Sequence, residues 1–228
     1  MSLVLAFDTA TQATVVGLLP GGGTPIERRD DPAPGTRPRH TQRLLALCEE
    51  ALAAAGAAWG DVDRIGVGVG PGSFTGLRIG VATARALGQA RAVETVAVST
   101  LAALAGGVSD ERDVLAVLDA RRGEAFAAAF TADGQAAAAA VSVDPPDLAA
   151  LGRPGWLAVG DGAVRYRAEL EAGDMEVPPD DDPRHLVRGA ALVRLATAAT
   201  PVPVATLVPD YVRLPDAEIH HRRVAAGP

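Results

Sequence analysis

The sequence predicts an α/β fold made of two similar halves, each a mixed sheet flanked by helices. Three observations carry this: a strand-turn-strand plan that occurs twice, about half a chain apart; a stretch of alternating helix and strand patterns after the first copy; and a composition, 48% hydrophobic over 228 residues, sufficient to fill two cores. A chain of this length buries roughly 70% of its unfolded surface.

In chain order, Val4-Leu5-Ala6-Phe7 is an apolar run of buried-strand length that ends at Asp8-Thr9. Thr14-Val15-Val16-Gly17-Leu18-Leu19 is a second strand, closed by the Gly21-Gly22-Gly23 turn. The plan recurs where Leu115-Ala116-Val117-Leu118 runs into Asp119-Ala120 and, after Arg121-Arg122-Gly123, an apolar strand extends from Ala125 to Phe130. Setting Asp119 on Asp8 aligns Leu118 with Phe7, Val117 with Ala6 and Phe126 with Val15 at an offset of 111 residues, which reads as a duplicated domain. The halves are placed at 1–109 and 110–228, with the tail after Pro201 packing back on the first half.

Between the copies, Thr41 to Ala55 carries Leu44, Leu45, Cys48, Ala51, Leu52 and Ala55 at the spacing of one helical face, and Gly56 stops it. Arg64 to Val69 reads as a strand, Gly76 to Ala90 as a helix, Thr95 to Val98 as a strand and Thr100 to Ala105 as a short helix. In the second half, Pro145 to Leu151, Ala163 to Leu170 and Pro183 to Ala198 read as helices, with a strand at Trp156 to Val159. The prolines from Pro201 to Pro215 exclude a helix or a central strand there.

The net charge of −7 argues against a principal nucleic-acid binder, because phosphate affinity needs a clustered positive surface. All 21 basic residues are Arg, so no lysine is present for a P-loop or a Schiff base. No apolar run approaches the ~20 residues of a bilayer-spanning helix. No charged-then-apolar leader opens at Met1, and Cys48 is the single cysteine. These features place the chain in the cytoplasm, away from membranes.

Chemistry centres on Gly70-Pro71-Gly72-Ser73-Phe74-Thr75-Gly76-Leu77-Arg78-Ile79-Gly80, between a strand and a helix. Gly70, Gly72, Ser73, Thr75, Gly76 and Arg78 make a phosphate site chemically possible, since amides at a helix start hold anions; a tight turn capped by Ser73 or Thr75 is the plainer alternative. Asp8, followed by the hydroxyl of Thr9, stands where a carboxylate can hold a metal beside phosphates, and Asp119 stands at the matching strand end; each can equally bond its own turn. Gly76, Gly80, Ala84 and Gly88 form a small-residue ridge that calls for a close neighbour, either the protein's own sheet or another subunit. Gly160-Asp161-Gly162 is a turn with a weak phosphate signal, and Asp180-Asp181-Asp182 suits a helix N-terminus. His40, His185, His220 and His221 lack the spacing of a shared metal site and read as surface residues; no metal or cofactor is expected, and no G-x-S-x-G elbow is present.

The chain resembles the TsaB (YeaZ) family over nearly its whole length. The resemblance rests on Leu5-Ala6-Phe7-Asp8-Thr9-Ala10-Thr11, His40-Thr41-Gln42-Arg43-Leu44-Leu45, the long glycine motif, Val98-Ser99-Thr100-Leu101, Leu118-Asp119-Ala120-Arg121-Arg122-Gly123-Glu124 and Pro209-Asp210-Tyr211-Val212-Arg213. It implies two RNase H-like subdomains of the actin, sugar kinase and Hsp70 (ASKHA) type. It also implies a non-catalytic paralogue of TsaD, which transfers threonylcarbamoyl to N6 of adenosine 37 in tRNAs reading ANN codons. TsaD-like chains carry N-H-L-x-x-H where this chain has Ser99-Thr100-Leu101-Ala102-Ala103-Leu104, so Thr100 and Leu104 stand at the two histidine positions and cannot replace imidazole ligands.

The implied partners are TsaD in a direct heterodimer, the ATPase TsaE and, upstream, TsaC, with tRNA met only through the complex and a homodimer formed by the chain alone. The implied interface is the first two helices: His40, Thr41, Leu44, Leu45, Cys48 and Leu52, with Gly76, Gly80, Ala84, Leu87 and Gly88. The rival readings are an actin-fold ATPase or small-molecule kinase using Asp8 and the glycine loop, and a metalloprotease.

Overall fold

The structure is a computed structural model and describes residues 2–33 and 35–212. Strands β1 (Val4–Asp8), β2 (Thr14–Leu19), β3 (Ile26–Asp30), β4 (Arg64–Gly70) and β5 (Glu94–Ser99) make a five-stranded sheet in the order β3-β2-β1-β4-β5. β1, β2 and β3 meander antiparallel, while β4 and β5 join parallel to β1. The second sheet has four strands, β6 (Val114–Arg121), β7 (Glu124–Phe130), β8 (Val141–Val143) and β9 (Leu157–Val159), in the order β8-β7-β6-β9. β6 repeats the part of β1, antiparallel to the next strand and parallel to the one after the crossover.

Helices α1 (His40–Ala54) and α2 (Phe74–Arg91) cover one face of the first sheet; α4 (Asp161–Arg165) and α5 (Arg167–Glu171) cover one face of the second. Between the sheets lie α3 (Thr100–Ala105) and α6 (Gly189–Ala198). The two halves thus share one plan, a mixed sheet with helices on both faces, as the sequence predicts. Strand alternation builds it: Leu5 and Phe7 join the core under α1 and α2, whereas Val4 and Ala6 join the core shared by both sheets. Likewise Leu115 and Val117 face α4 and α5, and Ala116 and Leu118 face the shared core. With both faces covered, these strands read as continuous apolar runs.

The alternation corrects the register of the repeat. Val4 and Val114 both face the shared core and both open the pairing with the crossover strand, so β1 and β6 match at an offset of 110 residues rather than 111, whereas β2 and β7 keep the expected 111, Val15 pairing with Asp8 as Phe126 pairs with Leu118. A one-residue slip exchanges faces. Asp119 therefore matches Thr9, and Leu118 matches Asp8.

Other departures have local causes. β3 (Ile-Glu-Arg-Arg-Asp) is an edge strand held by ion pairs, Arg39 to Asp30 at 2.6 Å and Arg188 to Glu27 at 3.1 Å, and offers no apolar period to read. β8 is an edge of three residues and equally silent. Pro145–Leu151 winds as a 3-10 helix, and the helix expected from Ala163 to Leu170 breaks at Tyr166 into α4 and α5. The stretch from Pro183 divides into a 3-10 turn (Pro183–His185), capped by Asp182, and α6. His185 holds that break in place: its Nδ1 accepts from the Gly160 amide at 3.0 Å, and its Nε2 lies 3.2 Å from the Pro178 carbonyl. α6 packs on β1, β2 and β4, so the division at 109/110 puts it with the wrong sheet. Beyond it, Val202 bridges to Thr95 and Leu207 enters the core under α1 and α2.

Candidate functional site

The glycine loop is built from its neighbours outward. β4 ends at Gly70 with φ 115, a conformation that only glycine adopts without strain. Ser73 caps α2, its Oγ accepting from the Gly76 amide at 3.3 Å while its own amide donates to Ala10 O at 2.7 Å. The loop is thereby tied to the turn between β1 and β2.

Thr9 lies on the far side of that tie. Its hydroxyl donates to the Gly76 carbonyl at 2.8 Å, a Cβ on Gly76 would overlap the Thr9 carbonyl oxygen, and one on Gly80 would lie 2.5 Å from Thr9 Oγ1. At Gly88 the neighbour is the Thr95 methyl, again 2.5 Å from a built Cβ. The ridge of Gly76, Gly80, Ala84 and Gly88 is thus filled from within the chain. His40, Leu44, Cys48 and Leu52 on α1 are buried in the same way, and burial pushes the Cys48 thiol up to about 12. Of the expected interface residues, Thr41 and Leu45 face outward and Leu87 is half-buried.

Asp8 does not reach the cleft either. It is fully buried, its Oδ2 accepting from the Thr100 hydroxyl at 2.7 Å and its Oδ1 from the Ala10 amide at 2.7 Å; Gly68 leaves the space its carboxylate occupies. Burial raises its pKa against the pull of those two bonds. With Thr9 bonded to α2, both side chains of the expected Asp8 and Thr9 pair are held by bonds within the chain. The burial of the Asp8 side chain follows from its register on β1: it continues the alternation of Val4 and Ala6.

A cleft of about 530 Å³ opens between the two halves. On one wall stand Ala10, Thr11, Gln12 and the loop from Pro71 to Thr75; on the other are Leu118, the hairpin residues 119–122, Phe126 and Asp161; Asp210, Tyr211 and Val212 close an end. Gly72, Ser73 and Thr75 of the expected site line it, Gly70, Gly76 and Asp8 are buried behind it, and Arg78 stacks over Phe74 at 4.1 Å. Asp119 bonds Arg165 at 2.9 Å, and its amide donates to Asp161, whose carboxyl is pushed up chiefly by burial. Arg121, Arg122, Asp161 and Tyr211 are further cleft residues beyond the expected site, each from a motif present in the sequence; only the closure of two halves brings those motifs together.

His40 and His185 are core residues, not surface ones. His40 Nδ1 pairs with Thr14 Oγ1 at 2.9 Å while its Nε2 has no hydrogen-bond partner. His220 and His221 lie outside the described residues. Among the described residues, no group of three or more His, Cys, Asp or Glu side chains is placed to hold a metal ion. The Thr100 and Leu104 positions are both fully buried.

Comparison with known proteins places this geometry. A family model described as "TsaD: tRNA N6-adenosine threonylcarbamoyltransferase" matches residues 34–179, and the tRNA threonylcarbamoyladenosine biosynthesis protein TsaB of Escherichia coli is 36% identical over 133 residues. The chain belongs to the TsaB (YeaZ) family. The match to the Escherichia coli TsaB spans 57% of this chain and 55% of that protein. YeaZ from Pseudomonas aeruginosa superposes with a TM-score of 0.77 at 28% identity, covering 92% of this chain and all of that one. An uncharacterized protein of Mycobacterium tuberculosis, Rv3421c, is 36% identical over 228 residues, with 96% and 95% of the two chains covered. The TsaB membership ties the chain to the biosynthesis of tRNA threonylcarbamoyladenosine. No described helix is long and apolar enough to cross a membrane.

Proposed function

We propose that this chain is a non-catalytic subunit that binds TsaD and activates it for transfer of threonylcarbamoyl to N6 of adenosine 37 in tRNAs reading ANN codons. What carries the reading is the start of α3, where a TsaD-like chain has two histidines. Here Thr100 spends its hydroxyl on Asp8 and Leu104 is closed in the shared core. The actin-fold ATPase or kinase reading loses its main carboxylate for the same reason, since Asp8 is committed to Thr100 and Ala10.

The outward faces of α1 and α2 are the docking surface in this reading. Leu45 is 47% exposed and Phe74 42% exposed, large apolar side chains left at the surface beside Thr41 and Leu87. TsaE and TsaC complete the pathway in the cytoplasm, tRNA is met through the complex, and the free chain pairs with itself by the same face. The test is reconstitution with purified TsaD, TsaC, TsaE, tRNA and substrates. The chain alone modifies no tRNA and restores modification when added; full activity without it overturns the proposal.

A further inference from the structure

Carboxylates outnumber arginines in this protein, 28 to 21, and more than half of the described arginines are ion-paired, as with Arg64 on Glu94 at 2.7 Å and Arg112 on Asp110 at 2.7 Å. Helix α2 breaks that pattern. It contains no Asp or Glu, and among the described residues its Arg78 and Arg85 make no ion pair. Both are exposed. They are seven residues apart, so they stand about 10.5 Å apart along the axis and on nearly the same face. Arg78 is held by its stack over Phe74 at 4.1 Å, which limits the side-chain entropy lost on binding. Between the two arginines lies Ala82, small and exposed, and about a quarter-turn round the helix is Ile79, half-buried.

We propose that this face receives a helix bearing carboxylates about two turns apart, with small apolar side chains between them, and that Arg78 and Arg85 set which partner is accepted and how fast it docks. The inference rests on the reading that α1 and α2 meet TsaD, and adds the chemistry of the surface TsaD must present. A protein helix suits this face better than an RNA strand. The apolar floor of Phe74, Ile79 and Ala82 needs apolar area above it, which a phosphate backbone does not offer. Interfaces that combine aromatic and Arg anchors with an apolar centre concentrate their binding energy in this way. Charge complementarity acts mainly on association rate and on rejection of wrong partners.

The test uses the full chain and its cognate TsaD, with Kd and association rate measured at about 50 mM and about 500 mM salt. Arg85 makes no ion pair among the described residues, so Arg85→Glu serves as the clean variant; the Arg78→Glu, Arg85→Glu double variant completes the reversal. Wild type should weaken as salt rises. The double variant should bind about tenfold or more weakly at low salt, mostly through slower association, and approach wild type at high salt. Equal affinity of wild type and double variant, with no salt dependence, overturns the inference while leaving the functional reading intact. Loss of tRNA retention with undiminished TsaD affinity overturns it in favour of a phosphate contact. Failure of the wild-type chain to bind TsaD at either salt sinks both readings.

Discussion

The Thr100 hydroxyl donates to Asp8 Oδ2 at 2.7 Å, linking the first residue of α3 to the last residue of β1 across the shared core. One side chain stands where the resemblance to TsaD-like chains implies a histidine, and the other is the acid expected to serve phosphates. Each is used by the other.

Thr100→Val should cost about 1–3 kcal/mol by leaving a buried carboxyl oxygen without its donor. The cost should depend on pH. Burial raises the Asp8 pKa above 3.8, so the protonated form favours the fold, and its stabilisation is lost as pH rises from 3.8 through the raised value. Thr100 favours the charged form, so its loss should hurt more toward neutral pH. Asp8→Asn should gain on wild type over the same window. Urea titrations at several pH values check both; a pH-independent cost for Thr100→Val refutes the assignment.

Gly76→Ala replaces a poor helix former by the best one, worth about 1 kcal/mol in an open helix. Here the added methyl would overlap the Thr9 carbonyl oxygen, so a net loss of about 1–3 kcal/mol is expected. Ala82→Gly, on the exposed face, should cost only about 1 kcal/mol. Thermal melts of the pair distinguish close packing from helix propensity.

His40 predicts an acid-side weakness. Burial lowers its pKa below 6.5 against the pull of the nearby Thr11 backbone and the Asp30 charge, so the neutral ring favours the fold. That contribution is present above pH 6.5 and is lost as pH falls through the lowered value. His40→Gln should flatten this part of the stability profile even if it lowers the plateau, which denaturant midpoints between pH 4 and 8, roughly the His titration range, would measure.

Adjacent leucines on α1 should behave in opposite ways. Leu44 is buried and Leu45 is 47% exposed. Leu44→Arg places a charge in the core and should prevent folding. Leu45→Arg should melt like wild type and lose co-purification with TsaD. A Leu45→Arg chain that still forms the complex removes Leu45 from the docking face.

Much of this was legible because it is local. Ser73 ahead of an apolar period marks the cap of α2, and the runs from Val4 and Leu115 have the length and content of buried strands. The edge strand β3 was silent because its side chains are charged and half-buried, so neither period nor composition separates it from a loop. The small-residue ridge of α2 announced a close neighbour without saying which. Only the positions of Thr9 and Thr95 show that the neighbour is internal.

The sequence by itself determined the two halves, the helices that flank them and the loop that enters α2, because periods of two and of 3.6 residues act within a single element. The tertiary structure alone decided which way each element faces. Asp8 and Asp119 stood as equivalents until the sheets were packed, and then Asp8 turned to α3 in the shared core while Asp119 turned to Arg165 on α4. A slip of one residue is invisible in a run that is apolar on both faces, yet it exchanges inside for outside. The cleft, the buried histidines and the unpaired arginines of α2 all depend on that packing, because each is defined by what lies across from it.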